Sequence, residues 1–161
     1  MKYKLLFSVF FIFLAQLSFA QIKPLSVAEL ENRMALGKDT TYVVNFWATW
    51  CSPCIEELPY FEALNEKYKG DKVAVLLISL DFQSKLESSV KPFLKRIPLK
   101  SEVYILNESN QQEFIEKISE SWSGAIPATL FVKGAGKERK FYEKEFKFKD
   151  LEDTLLSFRN N

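Results

Sequence analysis

The sequence predicts an α/β fold in which a mixed central sheet, parallel in its first part, is flanked by helices. Residues 42–47 are β-branched and aromatic, and residues 73–80 form an apolar run too short for a typical buried helix; both are typical of central strands. The segments between such runs place apolar residues at steps of three and four, which predicts amphipathic helices. A terminal hairpin pattern followed by a helical one completes a sheet with helices on both faces.

The first half of the chain predicts two helices around its first buried strand. Ser26 and Glu29 form a capping box ahead of an apolar stripe, and Gly37 follows as a stop signal. Apolar residues recur at helical spacing from Ile55 to Tyr68. The predicted elements are a helix over 26–36, a strand over 42–47, a helix over 53–69 and a strand over 73–80.

The second half predicts a further strand-helix unit and a closing hairpin. Helical spacing over 84–97 predicts a helix that Pro92 must kink or shorten. Phe141 and either Phe146 or Phe148 are expected to pack inward from the last strand. The remaining predicted elements are a strand over 102–106, a helix over 110–119, strands over 128–132 and 138–148 joined by a turn at 134–136, and a helix over 150–159.

Residues 1–20 have the pattern of a secretory signal peptide. Lys2 and Lys4 precede an apolar run, and small residues stand at Ser18 and Ala20. We expect cleavage after Ala20, export to the periplasm and one domain over 21–161. The alternative is an uncleaved membrane anchor, although the apolar core falls short of the roughly 20 residues needed to span a bilayer.

The charge balance argues against nucleic-acid binding. The full chain has 22 basic and 21 acidic residues. Removal of residues 1–20 takes away Lys2 and Lys4 and no acid, which leaves 20 basic and 21 acidic residues. Phosphate neutralisation needs a clear basic excess, so this near-neutral chain is not expected to bind nucleic acid.

The only two cysteines, Cys51 and Cys54, stand three positions apart where a strand is expected to turn into a helix. Unpaired amide hydrogens and the helix dipole stabilise an anion there, so Cys51 is the predicted nucleophile. Cys54 lies one turn further on and is expected to be more buried. Pro53, in the first turn, lacks an amide hydrogen that the helix could not have paired.

A cysteine pair at this spacing could instead form a structural disulfide, bind a metal or remain as two unrelated reduced thiols. A disulfide closing so small a loop removes little entropy from the unfolded chain. Zinc would need two more ligands, and the sequence contains no histidine and no further cysteine. We therefore favour a redox-active pair and expect no metal.

The residues around the pair resemble a known family. The stretch 46–54, FWATWCSPC, with Glu57 behind it and Ile126–Pro127 ahead of a late strand, resembles the thioredoxin superfamily. The similarity is greatest to the exported TlpA-like and ResA-like thiol-disulfide oxidoreductases. It implies a thioredoxin-like fold in which the strand-helix unit at 102–119 is an insertion.

The resemblance implies different roles for two polar residues. Asn45 stands where thioredoxin keeps a buried aspartate that helps to move the proton of Cys54. Glu57 resembles the acidic residue that ResA-like proteins place near the sulfurs, and we expect it to be catalytic, with a raised pKa that lets it accept and return a proton. The alternative for Glu57 is a solvated glutamate on the helix surface.

Two Ile-Pro dipeptides compete for the cis-proline loop that faces the cysteines in this superfamily. Ile97–Pro98 precedes the inserted strand, whereas Ile126–Pro127 precedes the terminal hairpin, as the family pattern requires. We therefore predict a cis bond before Pro127, with Ile126 offering backbone groups to a substrate. The expected substrate-binding residues are Trp50, Ser52, Pro53, Ile126 and Pro127. Trp122 has two open roles, lining this groove or packing.

The resemblance also implies a reaction and its partners. Reduced Cys51 would attack a disulfide of an envelope protein, such as a cytochrome c precursor, and Cys54 would resolve the mixed disulfide. A membrane electron donor would then reduce the protein, which we expect to act as a monomer without a cofactor beyond its cysteines. The alternatives are an oxidase or isomerase, a redox-silent binding module and a peroxidase.

Overall fold

The computed structural model describes residues 22–160, so the predicted signal peptide over 1–20 lies outside the described residues. No helix within 22–160 is long and apolar enough to cross a bilayer. In chain order the elements are β1 (Lys23–Leu25), α1 (Val27–Leu36), β2 (Thr41–Trp47), α2 (Ser52–Lys67), β3 (Val73–Ser79), a 3₁₀ turn (Gln83–Lys85), a π-helical turn (Leu86–Val90), α3 (Lys91–Arg96), β4 (Glu102–Leu106), α4 (Gln111–Ile118), β5 (Ala128–Lys133), β6 (Glu138–Tyr142) and α5 (Phe148–Asn160).

The six strands form one mixed sheet in the order β1-β4-β3-β2-β5-β6. The first four strands in that order pair in parallel, while β5 runs antiparallel to both β2 and β6. The predicted α/β class and mixed sheet are thus confirmed. Because β2 lies at the centre and its carboxyl end leads directly into α2, the cysteine pair sits at the edge of the sheet where the parallel strands end.

Both faces of β2 are buried, and its side chains alternate between two cores. Val43 and Trp47 point to the core built with α2 and α5, whereas Tyr42, Val44 and Phe46 point to the core built with α1 and α4. Trp47 packs on Phe93, with the ring centroids 5.2 Å apart. Alternation therefore directs Asn45 to the same face as α2, which brings a polar residue into an otherwise apolar layer.

Local signals in the sequence set several element boundaries. The capping box at the start of α1 is confirmed, since Ser26 and Glu29 exchange hydrogen bonds. The predicted helix over 84–97 is divided into a 3₁₀ turn, a π-helical turn and the short α3. Pro92 lies in the first turn of α3, which confirms the prediction that it would shorten the helix. A proline is tolerated in a first turn because its missing amide would be unpaired there anyway.

Two strand predictions differ from the structure. β1, a three-residue edge strand that contains Pro24, was not predicted; an edge tolerates proline because one side of the strand has no neighbour. The last strand ends at Tyr142 and does not reach Phe148. Phe146 is fully buried as expected, but it lies in the loop between β6 and α5 and not in a strand.

Candidate active site

Cys51 and Cys54 form a disulfide at the amino end of α2, with their Cα atoms 5.3 Å apart. Cys51 is the residue that caps the helix, and Cys54 lies in its first turn. The exposed fraction is 5% for Cys51 and 0% for Cys54. An incoming molecule therefore meets the sulfur of Cys51, while the sulfur of Cys54 stays behind it.

The helix start supplies groups that stabilise a negative charge on Cys51. The backbone amide of Cys54 donates a hydrogen bond to the Cys51 sulfur at 3.3 Å. Pro53 occupies the first turn, and the sequence places no acid over 52–55. When the disulfide is reduced, this amide and the positive end of the helix dipole favour the thiolate of Cys51 over its thiol.

The turn that carries Trp50 is fixed by a buried carboxylate, Asp81. Its oxygens accept hydrogen bonds from the backbone amide of Thr49 at 2.9 Å, from the Thr49 hydroxyl at 2.6 Å and from the Ser79 hydroxyl at 2.8 Å. Asp81 closely follows β3 and is 4% exposed. It thus ties the loop between β2 and α2 to the end of the neighbouring strand. The sequence carried one signal for this role, a lone acid directly behind a continuous apolar run.

A second loop faces the cysteines from the other side. The peptide bond between Ile126 and Pro127 is cis, and no other peptide bond among residues 22–160 is cis. The carbonyl oxygen of Ile126 lies 3.8 Å from the Cys51 sulfur. The indole nitrogen of Trp122 donates a hydrogen bond of 2.8 Å to the Ala125 carbonyl, which holds the loop in place.

Glu57 is fully buried on the inner side of α2, whereas its neighbour Glu56 is exposed. The Asn45 side-chain amide donates to one of its carboxyl oxygens at 2.7 Å, and the Phe146 backbone amide donates to the other at 2.8 Å. Burial raises the pKa of Glu57 to about 7, and the two hydrogen bonds oppose the rise only in part. Near neutral pH this carboxyl group exists in both protonation states.

Asn45 holds Glu57 and the start of β5 together. Its side-chain nitrogen also lies 3.4 Å from the Ala128 carbonyl and 3.3 Å from the Thr129 hydroxyl. Its side-chain oxygen is buried and has no hydrogen-bond partner among residues 22–160. No sequence pattern indicated that Phe146 or Thr129 would join this cluster, because both reach it through tertiary packing alone.

The five predicted substrate-binding residues form a rim beside the cysteine pair, and this rim is more exposed on the side of α2 than on the side of the facing loop. Trp50 is 68% exposed, and Ser52 and Pro53 are also exposed. Ile126 and Pro127 are half-buried at the facing loop. The packing role of Trp122 is confirmed, since its ring is buried among Phe46, Phe114 and Phe141. Trp122 also lines a pocket beside the rim.

Within residues 22–160, no cluster of three or more histidine, cysteine, aspartate or glutamate side chains could hold a metal ion. What the site does contain is an outer sulfur at a helix start, an inner sulfur one turn away and, on the same helix, a buried carboxyl group whose pKa is raised to about 7. Thiol-disulfide exchange needs a sulfur that can attack and a second sulfur that can resolve the mixed disulfide.

Comparisons with known proteins agree with this arrangement. The family model described as Redoxin matches residues 25–155. The thiol-disulfide oxidoreductase ResA of Bacillus cereus is 33% identical over 115 residues, which cover 69% of this chain and 61% of that protein. The thioredoxin-like protein YneN of Bacillus subtilis is 39% identical over 72 residues, covering 45% of this chain and 41% of that protein. The chain thus aligns with less than two thirds of either relative.

Solved structures share the fold. A thioredoxin-related protein from Neisseria meningitidis serogroup B superposes with a TM-score of 0.66 at 25% identity and covers 77% of this chain and 88% of that one. A putative thiol:disulfide interchange protein DsbE from Chlorobium tepidum superposes with a TM-score of 0.62 at 20% identity, covering 78% and 84%. In sequence the chain is similar to ResA, and it shares the fold of these thioredoxin-related structures. The family match shows that the chain belongs to the Redoxin family.

Proposed function

We propose that this protein is an exported thiol-disulfide oxidoreductase that reduces disulfides of other proteins in the cell envelope. The observation that carries the proposal is the asymmetry of the cysteine pair. The Cys51 sulfur lies at a helix start beside the Ile126 carbonyl, and the Cys54 sulfur is fully buried behind it. A disulfide that only cross-linked the chain would not need one reachable and one hidden sulfur.

The reaction begins with the thiolate of Cys51. It attacks one sulfur of a substrate disulfide, a mixed disulfide forms, and the other substrate sulfur leaves as a thiolate that takes a proton from solvent. The backbone of the substrate would lie along the loop at Ile126–Pro127 as an added strand. Trp50, Ser52 and Pro53 form the opposite side of the contact.

Cys54 completes the exchange. Its thiol gives its proton to the carboxylate of Glu57, which lies one helical turn further along α2, and the resulting thiolate attacks the Cys51 sulfur. The substrate leaves with both of its sulfurs reduced, and the protein keeps the disulfide. Because the pKa of Glu57 is raised to about 7, the carboxylate is basic enough to accept this proton and acidic enough to return it.

Export rests on residues 1–20, whose basic start, apolar run and small residues match a cleaved signal peptide. Outside the cytoplasm disulfides persist, so the protein would need a reductant, and we propose a membrane protein that passes electrons outward. Cysteine pairs of cytochrome c precursors are the candidate substrates. We further propose that the protein acts as a monomer with its cysteine pair as the only redox group.

A trapping experiment tests this function. In a Cys54→Ser variant the mixed disulfide on Cys51 cannot be resolved, so we expect envelope proteins to accumulate in covalent complexes that dithiothreitol releases. The Cys51→Ser variant is the matched control and should trap none. If Cys54→Ser traps nothing, and loss of both sulfurs has no effect on the cell, the protein is a redox-silent binding module. A thiol equilibrium with glutathione more oxidising than that of a reductase would indicate an oxidase or isomerase.

A further inference from the structure

A half-open pocket of about 140 Å³ lies beside the disulfide, on the side of α4. Trp50 and Ile126 form the wall nearest to the cysteines. Leu106 at the end of β4, with Phe114 and Ile115 of α4, forms the far wall. The inserted strand-helix unit at 102–119 therefore does more than extend the sheet, because it builds one side of this pocket.

The lining determines which chemical groups the pocket accepts. Apart from Gln111 and Gly124, the described residues that line it have aromatic or aliphatic side chains, and none is charged. An apolar protein cavity of about 150 Å³ accommodates a benzene molecule. The pocket thus has room for one branched aliphatic side chain or one phenyl ring, whereas a charged group would lose its water without gaining a partner.

The pocket is continuous with the place where a substrate would be bonded. Trp50 directly precedes Cys51, and the Ile126 carbonyl lies 3.8 Å from the Cys51 sulfur. An extended polypeptide advances about 3.3–3.6 Å per residue. A chain joined to Cys51 through its own cysteine therefore has its nearest neighbouring residues within reach of the pocket, and more distant residues beyond it.

We propose that this pocket binds one apolar side chain of the substrate polypeptide, located within two residues of the cysteine that Cys51 attacks. The pocket thereby selects among protein disulfides, favouring those flanked by leucine, isoleucine, valine or phenylalanine. This selection rests on the proposed function, since it needs a polypeptide bonded to Cys51. The insertion at 102–119 then acts as a specificity element for the exchange reaction.

Two peptides test the proposal directly. Each carries one cysteine as a mixed disulfide with thionitrobenzoate, and a neighbouring residue is leucine in one peptide and asparagine in the other. The Cys51 thiolate forms a disulfide with the peptide sulfur and thionitrobenzoate leaves as a coloured thiolate, so its absorbance gives the rate. Rates with dithiothreitol correct for any intrinsic difference between the peptides. We expect the leucine peptide to react about tenfold faster with the reduced protein.

Variants that fill the pocket should remove this preference. Ile115→Trp places a larger side chain inside it, and we expect the ratio of the two rates to fall to about 1. Glu116→Trp, one position further on the exposed side of α4, is the matched control and should keep the ratio. Leu106→Trp fills the pocket from the end of β4 instead of from α4, which provides a second test if circular dichroism shows that Ile115→Trp does not fold.

The possible outcomes of these experiments distinguish a failure of the pocket proposal from a failure of the proposed function. Equal rates for the two peptides with the unmodified protein, or a preference that survives both filling variants, would overturn the pocket proposal and leave the oxidoreductase function standing. If the reduced protein reacts with neither peptide faster than dithiothreitol does, the proposed function fails and the pocket proposal fails with it.

Discussion

The side-chain amide of Asn45 donates a 2.7 Å hydrogen bond to the carboxyl group of Glu57, and both residues are fully buried. The amide stands on the central strand of the sheet, at the position where thioredoxin has an aspartate. The carboxyl group stands on the helix that carries both cysteines. Compared with thioredoxin, this chain therefore has a neutral donor at the position on the sheet and a buried acid on the helix, joined by this hydrogen bond.

This relationship predicts how the second step of the reaction depends on pH. The rate at which Cys54 resolves a mixed disulfide on Cys51 should rise with pH through about 7, as Glu57 becomes ionised and able to accept a proton. In Glu57→Gln this inflection should vanish and the rate should fall about a hundredfold near neutral pH. Rapid-mixing measurements of peptide release provide the rate. The exposed neighbour offers the control, because Glu56→Gln should retain both the rate and the inflection.

Glu57 also links the stability of the protein to pH. Its pKa is raised from 4.5 to about 7 in the folded state, so the folded state holds this proton more tightly than the unfolded state. The free energy of unfolding should therefore fall as pH rises between these two values, by roughly 3 kcal/mol from this group. Urea unfolding of the oxidised protein and of Glu57→Gln at about pH 5 and about pH 8 isolates the effect. An identical pH dependence in both proteins would show that Glu57 does not titrate in this range.

A second carboxyl group at the Asn45 position should disturb this titration. In Asn45→Asp, a nearby negative charge would disfavour ionisation of Glu57, and the favourable amide hydrogen bond would be lost. We expect the pH inflection of the Cys54 step to move upward by about one unit or more. Asn45→Ser, which adds no charge, should shift it less. An inflection that stays at the same pH in Asn45→Asp would mean that Glu57 is not its source.

Asp81 should prove to be a positioning residue for the turn that precedes Cys51. Asp81→Ala leaves the Thr49 amide, the Thr49 hydroxyl and the Ser79 hydroxyl without their shared acceptor. We expect a loss of about 3 kcal/mol in the free energy of unfolding and a slower reaction of Cys51 with disulfides. Thr49→Val removes only the hydroxyl bond and should cost about 1 kcal/mol. Stability within experimental error of the unmodified protein for Asp81→Ala would contradict this role.

The sequence predicted the parts of the fold that local patterns determine. The apolar run of β3 and the helical spacing from Ile55 to Tyr68 identified their elements, because burial and periodicity are local properties. The edge strand β1 was not predicted, because three residues that contain Pro24 form a strand only through their pairing with β4, far along the chain. The predicted last strand was too long, because the apolar pattern that indicated burial of Phe146 does not show that this residue lies in a loop.

The same distinction applies to the candidate site. The spacing of Cys51 and Cys54 ahead of a helix was sufficient to predict a cysteine pair at the helix start, with Cys54 the more buried of the two. The burial of Glu57 depends on the Phe146 amide, 89 residues later, and its partner Asn45 lies 12 residues earlier on another element. Contacts of this kind have no periodic signature, so the placement of the two sulfurs was predictable from the sequence and the contacts of Glu57 were not.

The different roles of the two sulfurs are open to the most direct test. Each purified single-cysteine variant is mixed with one equivalent of a peptide disulfide, and the products are identified by mass spectrometry. We predict that Cys54→Ser forms a stable mixed disulfide with the peptide at Cys51, because that sulfur is reachable and nothing resolves the bond. Cys51→Ser should form almost none. Equal labelling of both variants, or labelling of Cys54 alone, would contradict the assignment of Cys51 as the attacking sulfur.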